Sequence, residues 1–200
     1  MGRFMVSVLL LAVVAPVAAE QSVDVSKEYE MRMMGIVSDR EPVGFPDAPA
    51  ADSYSGSLTA SSSVWNRIFG SAVDPGCAAA MSDSGNDGQY YEAIPIEVSA
   101  TEDLAAEVIS FTGGDTVIAV YCDPFDPLNP LTNVIAYNDD GGAGTLSAFT
   151  AADGVTLQPG NTYWLVFSTY TGGVVGDFTI DFTSATVVVV PVELQSFSVE

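Results

Sequence analysis

Residues 68–200 contain eighteen aspartates and glutamates and not one lysine, arginine or histidine. No carboxylate in this stretch can pair with a basic side chain of its own segment. Each must face water, accept hydrogen bonds from neutral donors, or hold a cation, because an uncompensated buried charge is too costly.

The whole chain has five basic residues, Arg3, Lys27, Arg32, Arg40 and Arg67, against 26 acids, and a formal net charge of -21. Phosphate backbones are bound by Lys and Arg, so nucleic acid is excluded as a partner. With no histidine, Ser-His-Asp and Cys-His arrangements and His-containing zinc sites are all impossible.

Residues 1–19 read as an export signal: Arg3 in a basic n-region, an apolar run over 5–14, and Val17-Ala18-Ala19 as a small-residue cleavage site before Glu20. The apolar run is shorter than the ~20 residues a membrane span needs, so no transmembrane anchor is expected in the mature chain. An exported chain with two cysteines favours a Cys77–Cys122 disulfide over two buried thiols. Such a loop closure is worth roughly 4 kcal/mol in the chain-entropy model.

Residues 20–51 are a mixed, extended lead-in interrupted by Pro42, Pro46 and Pro49. Its Met31-Arg32-Met33-Met34 run reads as a cover for a sandwich edge. From residue 52 the texture changes to short runs rich in Val, Ile, Thr, Tyr and Phe, separated by Gly, Asn, Asp and Pro. Strands are predicted at 54–60, 64–69, 90–98, 105–112, 116–122, 133–137, 146–151, 163–169 and 177–183, with a last apolar run at 186–197. Alternation is clearest in Phe178-Thr179-Ile180-Asp181-Phe182. This number of short strands predicts an all-β fold, an antiparallel two-sheet β-sandwich or jelly roll over 52–184, with 185–200 as a C-terminal strand or linker.

Asp115-Thr116-Val117-Ile118-Ala119-Val120-Tyr121, then Phe125-Asp126-Pro127-Leu128-Asn129-Pro130-Leu131-Thr132-Asn133 and Asn138-Asp139-Asp140, resemble motifs of bacterial secreted jelly-roll domains, the pre-peptidase C-terminal-like domains, which look like CUB domains in sandwich and cation site. Val64-Trp65-Asn66-Arg67 ahead of Cys77, Pro159-Gly160-Asn161-Thr162-Tyr163, and Gly176-Asp177-Phe178-Thr179-Ile180 extend the resemblance over 53–184. It implies a non-catalytic appendage that assists adhesion, substrate binding or secretion. The run 187–197 resembles the segment joining a last β-domain to a C-terminal sorting module in bacterial surface proteins. With Glu200 as the last residue, the run reads as the join to a tail that is missing, the loose end of a released product, an edge packed on the lead-in, or a strand given to a neighbouring subunit.

Asp115, Asp123, Asp126, Asn138, Asp139 and Asp140 fall in predicted turns, and strand pairing is expected to bring them together. Six to eight oxygens at ~2.3–2.6 Å suit calcium, and the resemblance implies a cation. The competing reading is that Asp-Pro, Asn-Pro and Asn-Asp-Asp-Gly-Gly are turn-formers whose side chains cap backbone N–H groups. Asp126 with Asp139-Asp140 is also where a glycosidase acid–base pair would be sought, but adjacent aspartates in one turn rarely straddle a substrate bond. Trp65, Trp164, Tyr90, Tyr91, Tyr163 and Tyr170 are candidates for a sugar-stacking platform. Strand position favours core packing for Trp164 and Tyr163, and exposure for Tyr91 or Tyr170.

The sequence therefore leads to a secreted, non-enzymatic, calcium-stabilised structural or adhesive sandwich at the cell surface. The alternatives are a carbohydrate-binding module with a glycan partner, a subunit that self-associates through its C-terminal strand, and a hydrolase.

Overall fold

The computed structural model describes residues 53–190, which fall in one compact unit. The export signal, the lead-in and the end of the C-terminal run lie outside the described residues.

Two antiparallel sheets face each other. The first orders β1 (Ser53–Leu58), β11 (Gly176–Phe182), β5 (Ala106–Phe111) and β8 (Ala148–Phe149). The second orders β12 (Val187–Val189), β3 (Ser82–Val98), β10 (Tyr163–Thr169), β6 (Thr116–Cys122) and β7 (Val134–Asn138). β2 (Val64–Phe69) pairs with the N-terminal half of β3, while β4 (Glu102–Asp103) and β9 (Thr156–Leu157) make a short separate ladder. Leaving out β2, β4, β9 and β12, the remaining eight strands in chain order run 1-8-3-6 in one sheet and 2-7-4-5 in the other, the order of a jelly roll.

The predicted strands match closely at β2, β6, β7, β10 and β11. β3 begins eight residues before the expected Tyr90, because β2 gives its polar half, Ser82–Gln89, a partner. At the other extreme, the expected strand at 146–151 shortens to Ala148–Phe149, followed by a 3-10 turn at Ala151–Asp153.

Alternation along the strands builds two apolar layers. Between the sheets lie Ile118, Val120, Leu165, Phe167, Phe178 and Ile180, with the Phe167 and Phe178 rings stacked at 3.8 Å. On the outer face of the second sheet, Val117, Ala119, Tyr121 and Val166 pack under Trp65 and Ile68 of β2. Both faces of β6 are therefore covered, and its first six residues are all buried. That is why it reads as an unbroken apolar run.

The free edge of β7 is closed by the 70–81 loop, whose Asp74 N donates to Ile135 O at 2.9 Å and Ala79 N to Val134 O at 3.0 Å. The expected disulfide staples this loop to the end of β6: Cys77 and Cys122 are bonded, with Cα atoms 5.9 Å apart. Covering an edge in this way removes a template for unwanted strand pairing. β12 pairs with β3 of its own sheet through Val187↔Val98, Val188↔Glu97 and Val189↔Ile96. This part of the C-terminal run thus belongs to its own sandwich.

Candidate functional site

The register of the β6–β7 hairpin decides which acids meet. Ile118 pairs with Asn138 and Tyr121 with Val134, so Asn138, Asp139 and Asp140 lie at the Asp115 end of β6. Asp123 and Asp126 follow the opposite end of a seven-residue strand, about 23 Å away at ~3.3 Å per residue. The six candidate donors are divided between two poles and do not form one shell.

At the far pole the carboxylates brace the chain. Asp123 Oδ1 accepts the Trp164 indole N–H at 2.9 Å. Asp126 accepts Leu128 N at 2.9 Å and Asn129 Nδ2 at 2.7 Å, and these donors hold its carboxyl below the ordinary range. At the near pole Asn138 Oδ1 is already engaged by Gly141 N at 2.8 Å and Ala148 N at 3.1 Å. Gly141 has to be glycine for steric reasons, since a Cβ there would stand 2.3 Å from the Ala148 carbonyl oxygen.

What is left at the near pole is a corner of Asp115, Asp139 and Asp140. Asp115 is half-buried, and one of its oxygens, Oδ1, is buried without a hydrogen-bond partner. Burial, then repulsion from Asp140 and Asp139, raises its pKa, against an opposing pull from Arg67. Three carboxylates are fewer than the six to eight oxygens calcium takes, so carbonyls and water would have to complete a shell. Among the described residues no three acids stand close enough to clasp an ion as they are.

Arg67 was not anticipated in this role. It is the only basic residue between 53 and 190, and it is 4 % exposed. Its guanidinium lies 4.0 Å from the centre of the Tyr170 ring and donates through Nη1 to the Tyr137 hydroxyl at 3.1 Å, while Nε has no partner. Tyr170 N in turn donates to Asp115 O at 3.3 Å, so contacts link Asp115 to Tyr170, Tyr170 to Arg67 and Arg67 to Tyr137. Burial raises the Tyr137 hydroxyl to about 12, although Arg67 pulls it down. The sequence signal was a lone base in a strand otherwise destined for the core.

The aromatic candidates divide by face. Trp65 and Tyr163 are core residues. Trp164, expected inside, is half-buried on the outer face, because Tyr163 before it takes the inward position. Tyr91 is half-buried against Phe125 at 5.5 Å, and Tyr90 packs partly buried between the sheets. Tyr170 is 43 % exposed as expected, but one face of its ring is taken by Arg67.

No family model, curated protein or solved structure matches this chain. The reading of the site rests on its own geometry.

Proposed function

We propose that the chain is a secreted, non-catalytic structural or adhesive module, with calcium taken up at the Asp115–Asp139–Asp140 corner. The supporting observation is how the surface acids are used. Asp74, Asp83, Asp126 and Asp153 each bind backbone N–H groups of their own turns, at Gly76, Gly85, Leu128 and Thr150 respectively. Together with the stapled 70–81 loop, this gives a sandwich whose loops are braced, a scaffold for display.

At the corner, repulsion among the three carboxylates favours uptake of a cation. Asp140 is exposed and Asp139 half-buried, so their side chains can turn toward an ion. The expected affinity is that of extracellular modules, ~10⁻⁴–10⁻³ M. Thermal melting of the mature protein in millimolar calcium and in chelator tests the reading. Calcium should raise the melting temperature, and Asp139→Ala or Asp140→Ala should abolish the increment. A melting curve indifferent to calcium would reduce the corner to a turn.

A further inference from the structure

The 70–81 loop lies along β7 as a strap, and little of it is packed. Ala79 is buried, Ala72 and Met81 rest partly buried on the outer apolar layer, and the other residues are partly or fully exposed. Two backbone hydrogen bonds, from Asp74 and Ala79, tie it to Ile135 and Val134. Towards the end of β7 the fit is looser: a cavity of about 200 Å³ opens between Gly70, Ser71 and Val73 on one side and Tyr137, Asn138 and Asp139 on the other. Cys77 itself sits at φ 67°, a left-handed conformation that residues other than glycine seldom take. Fixing the backbone of such a segment costs more than two hydrogen bonds and a buried alanine return. The bond from Cys77 to Cys122 therefore decides whether the strap stays down.

Under the strap is a strand edge. The β6–β7 register passes over Ile135, between Val120↔Ala136 and Tyr121↔Val134, and this bulge leaves the Val134 and Ile135 carbonyls both facing the strap, which donates to each. With the strap lifted, the two carbonyls lose their donors, and the apolar layer that holds Val134 and Tyr137 loses Ala72, Ala79 and Met81. The strand Val134-Ile135-Ala136-Tyr137-Asn138 has neither a charge nor a proline, the usual devices that keep an open edge from pairing.

A second copy of the chain supplies a matching edge, because a strand can pair antiparallel with itself about a twofold axis. Centred on Ala136, that register sets Ile135 against Tyr137 and Val134 against Asn138 of the second copy. Beyond them Asp139 meets Asn133 and Asp140 meets Thr132, so the acids at the end of each strand face neutral side chains.

We propose that the Cys77–Cys122 bond is a redox latch: a dithiol reductant opens it, the strap lifts, and β7 pairs with β7 of a second copy. One thiolate of the reductant attacks a sulfur of the bond and forms a mixed disulfide, and its second thiolate then displaces the protein sulfur. The protein gains two thiols, the reductant is oxidised to its own disulfide, and two electrons pass between them. The latch goes beyond the module reading and does not require calcium.

The test is light scattering of the mature protein in chelator, over a range of concentrations, with and without dithiothreitol. The oxidised protein should remain a monomer, and the reduced protein should become a dimer that reverts on reoxidation. Cys77→Ser with Cys122→Ser should dimerise without reductant. In the reduced protein, hydrogen exchange of the 70–81 amides should be fast at every concentration, while β7 amides should slow as concentration rises. Thr132→Glu, at an exposed site, sets two like-charge pairs against Asp140 across the twofold and should weaken the dimer roughly fivefold. A reduced protein that stays monomeric, unfolds or keeps its strap amides protected would overturn the proposal. So would a dimer that the serine variant cannot form, which is one made by disulfides between copies, or a dimer indifferent to Thr132→Glu.

Discussion

Replacing Arg67 by methionine isolates the contribution of the one base in the described sandwich, because methionine keeps the apolar stem and removes the guanidinium. Two interactions are lost. The hydrogen bond to Tyr137 is charge-assisted and worth ~1.5–3 kcal/mol. The stacking on Tyr170, a residue 43 % exposed, belongs at the low end of cation–π energies, ~0.5–1 kcal/mol. One cost is recovered, because Nε no longer lies buried without a partner, a gain of ~1 kcal/mol. The balance is a net loss of about 2 kcal/mol. Urea unfolding of wild type and variant near neutral pH, followed by circular dichroism and tryptophan fluorescence, measures it, and a constant m-value certifies that the unfolded states compare. Adding Tyr170→Leu to both backgrounds should return a coupling of ~0.5–1 kcal/mol. An Arg67→Met variant as stable as wild type, or more so, would show that burying this charge costs as much as its contacts return, as buried ions often do.

Removing the disulfide by Cys77→Ala with Cys122→Ala, which opens a loop of 45 residues, should cost up to ~4 kcal/mol; hydrogen exchange at Asp74 and Ala79 should accelerate as the loop lifts from β7, and unchanged exchange would refute the stapling role. Gly141→Ala forces a Cβ to 2.3 Å from a backbone oxygen and should destabilise by ~1–3 kcal/mol in thermal melts. Asp126 titrates below its ordinary value near 3.8, so its contribution is complete above that pH and is lost as pH falls through the lowered folded value; a carboxyl NMR titration giving 3.8 or higher would contradict its bonds to Leu128 and Asn129. Deleting 186–200 removes the buried Val187 and a strand paired to β3, so the truncated protein should melt lower as a monomer, and an unchanged melting temperature would show that β12 adds nothing.

The strands that could be read from the chain were those whose composition and burial agree. β2, β6 and β10 are rich in branched and aromatic residues and lie in or beside the core. The N-terminal half of β3 was illegible because Ser-Asp-Ser-Gly-Asn-Asp-Gly is turn chemistry, with Gly85 and Gly88 at φ 68° and 82°. It is extended only because β2 lies alongside, a partner that no local pattern reveals. Grouping the acids failed for a related reason. Asp115, Asp123 and Asp126 are near in sequence, but the strand between them is stretched out, so sequence proximity means separation. Arg67 carries no local signal of its role, because the long base-free stretch begins at the next residue and its neighbours arrive from elsewhere, Tyr137 from β7 and Tyr170 from just past the end of β10.

The bond between Cys77 and Cys122 also changes how this module would respond to tension. If the chain is held at one end and pulled at the other, load reaching Cys77 passes through the two sulfurs to Cys122, and the residues between them, 78–121, carry none of it. Those residues include β5 of one sheet and β3 and β6 of the other. At ~3.4 Å per extended residue, about 150 Å of contour length is withheld from stretching. A tether containing this domain would lengthen by that much less on yielding. The strands shielded by the bond would remain linked as a closed loop from which the remainder could re-form once the force relaxes.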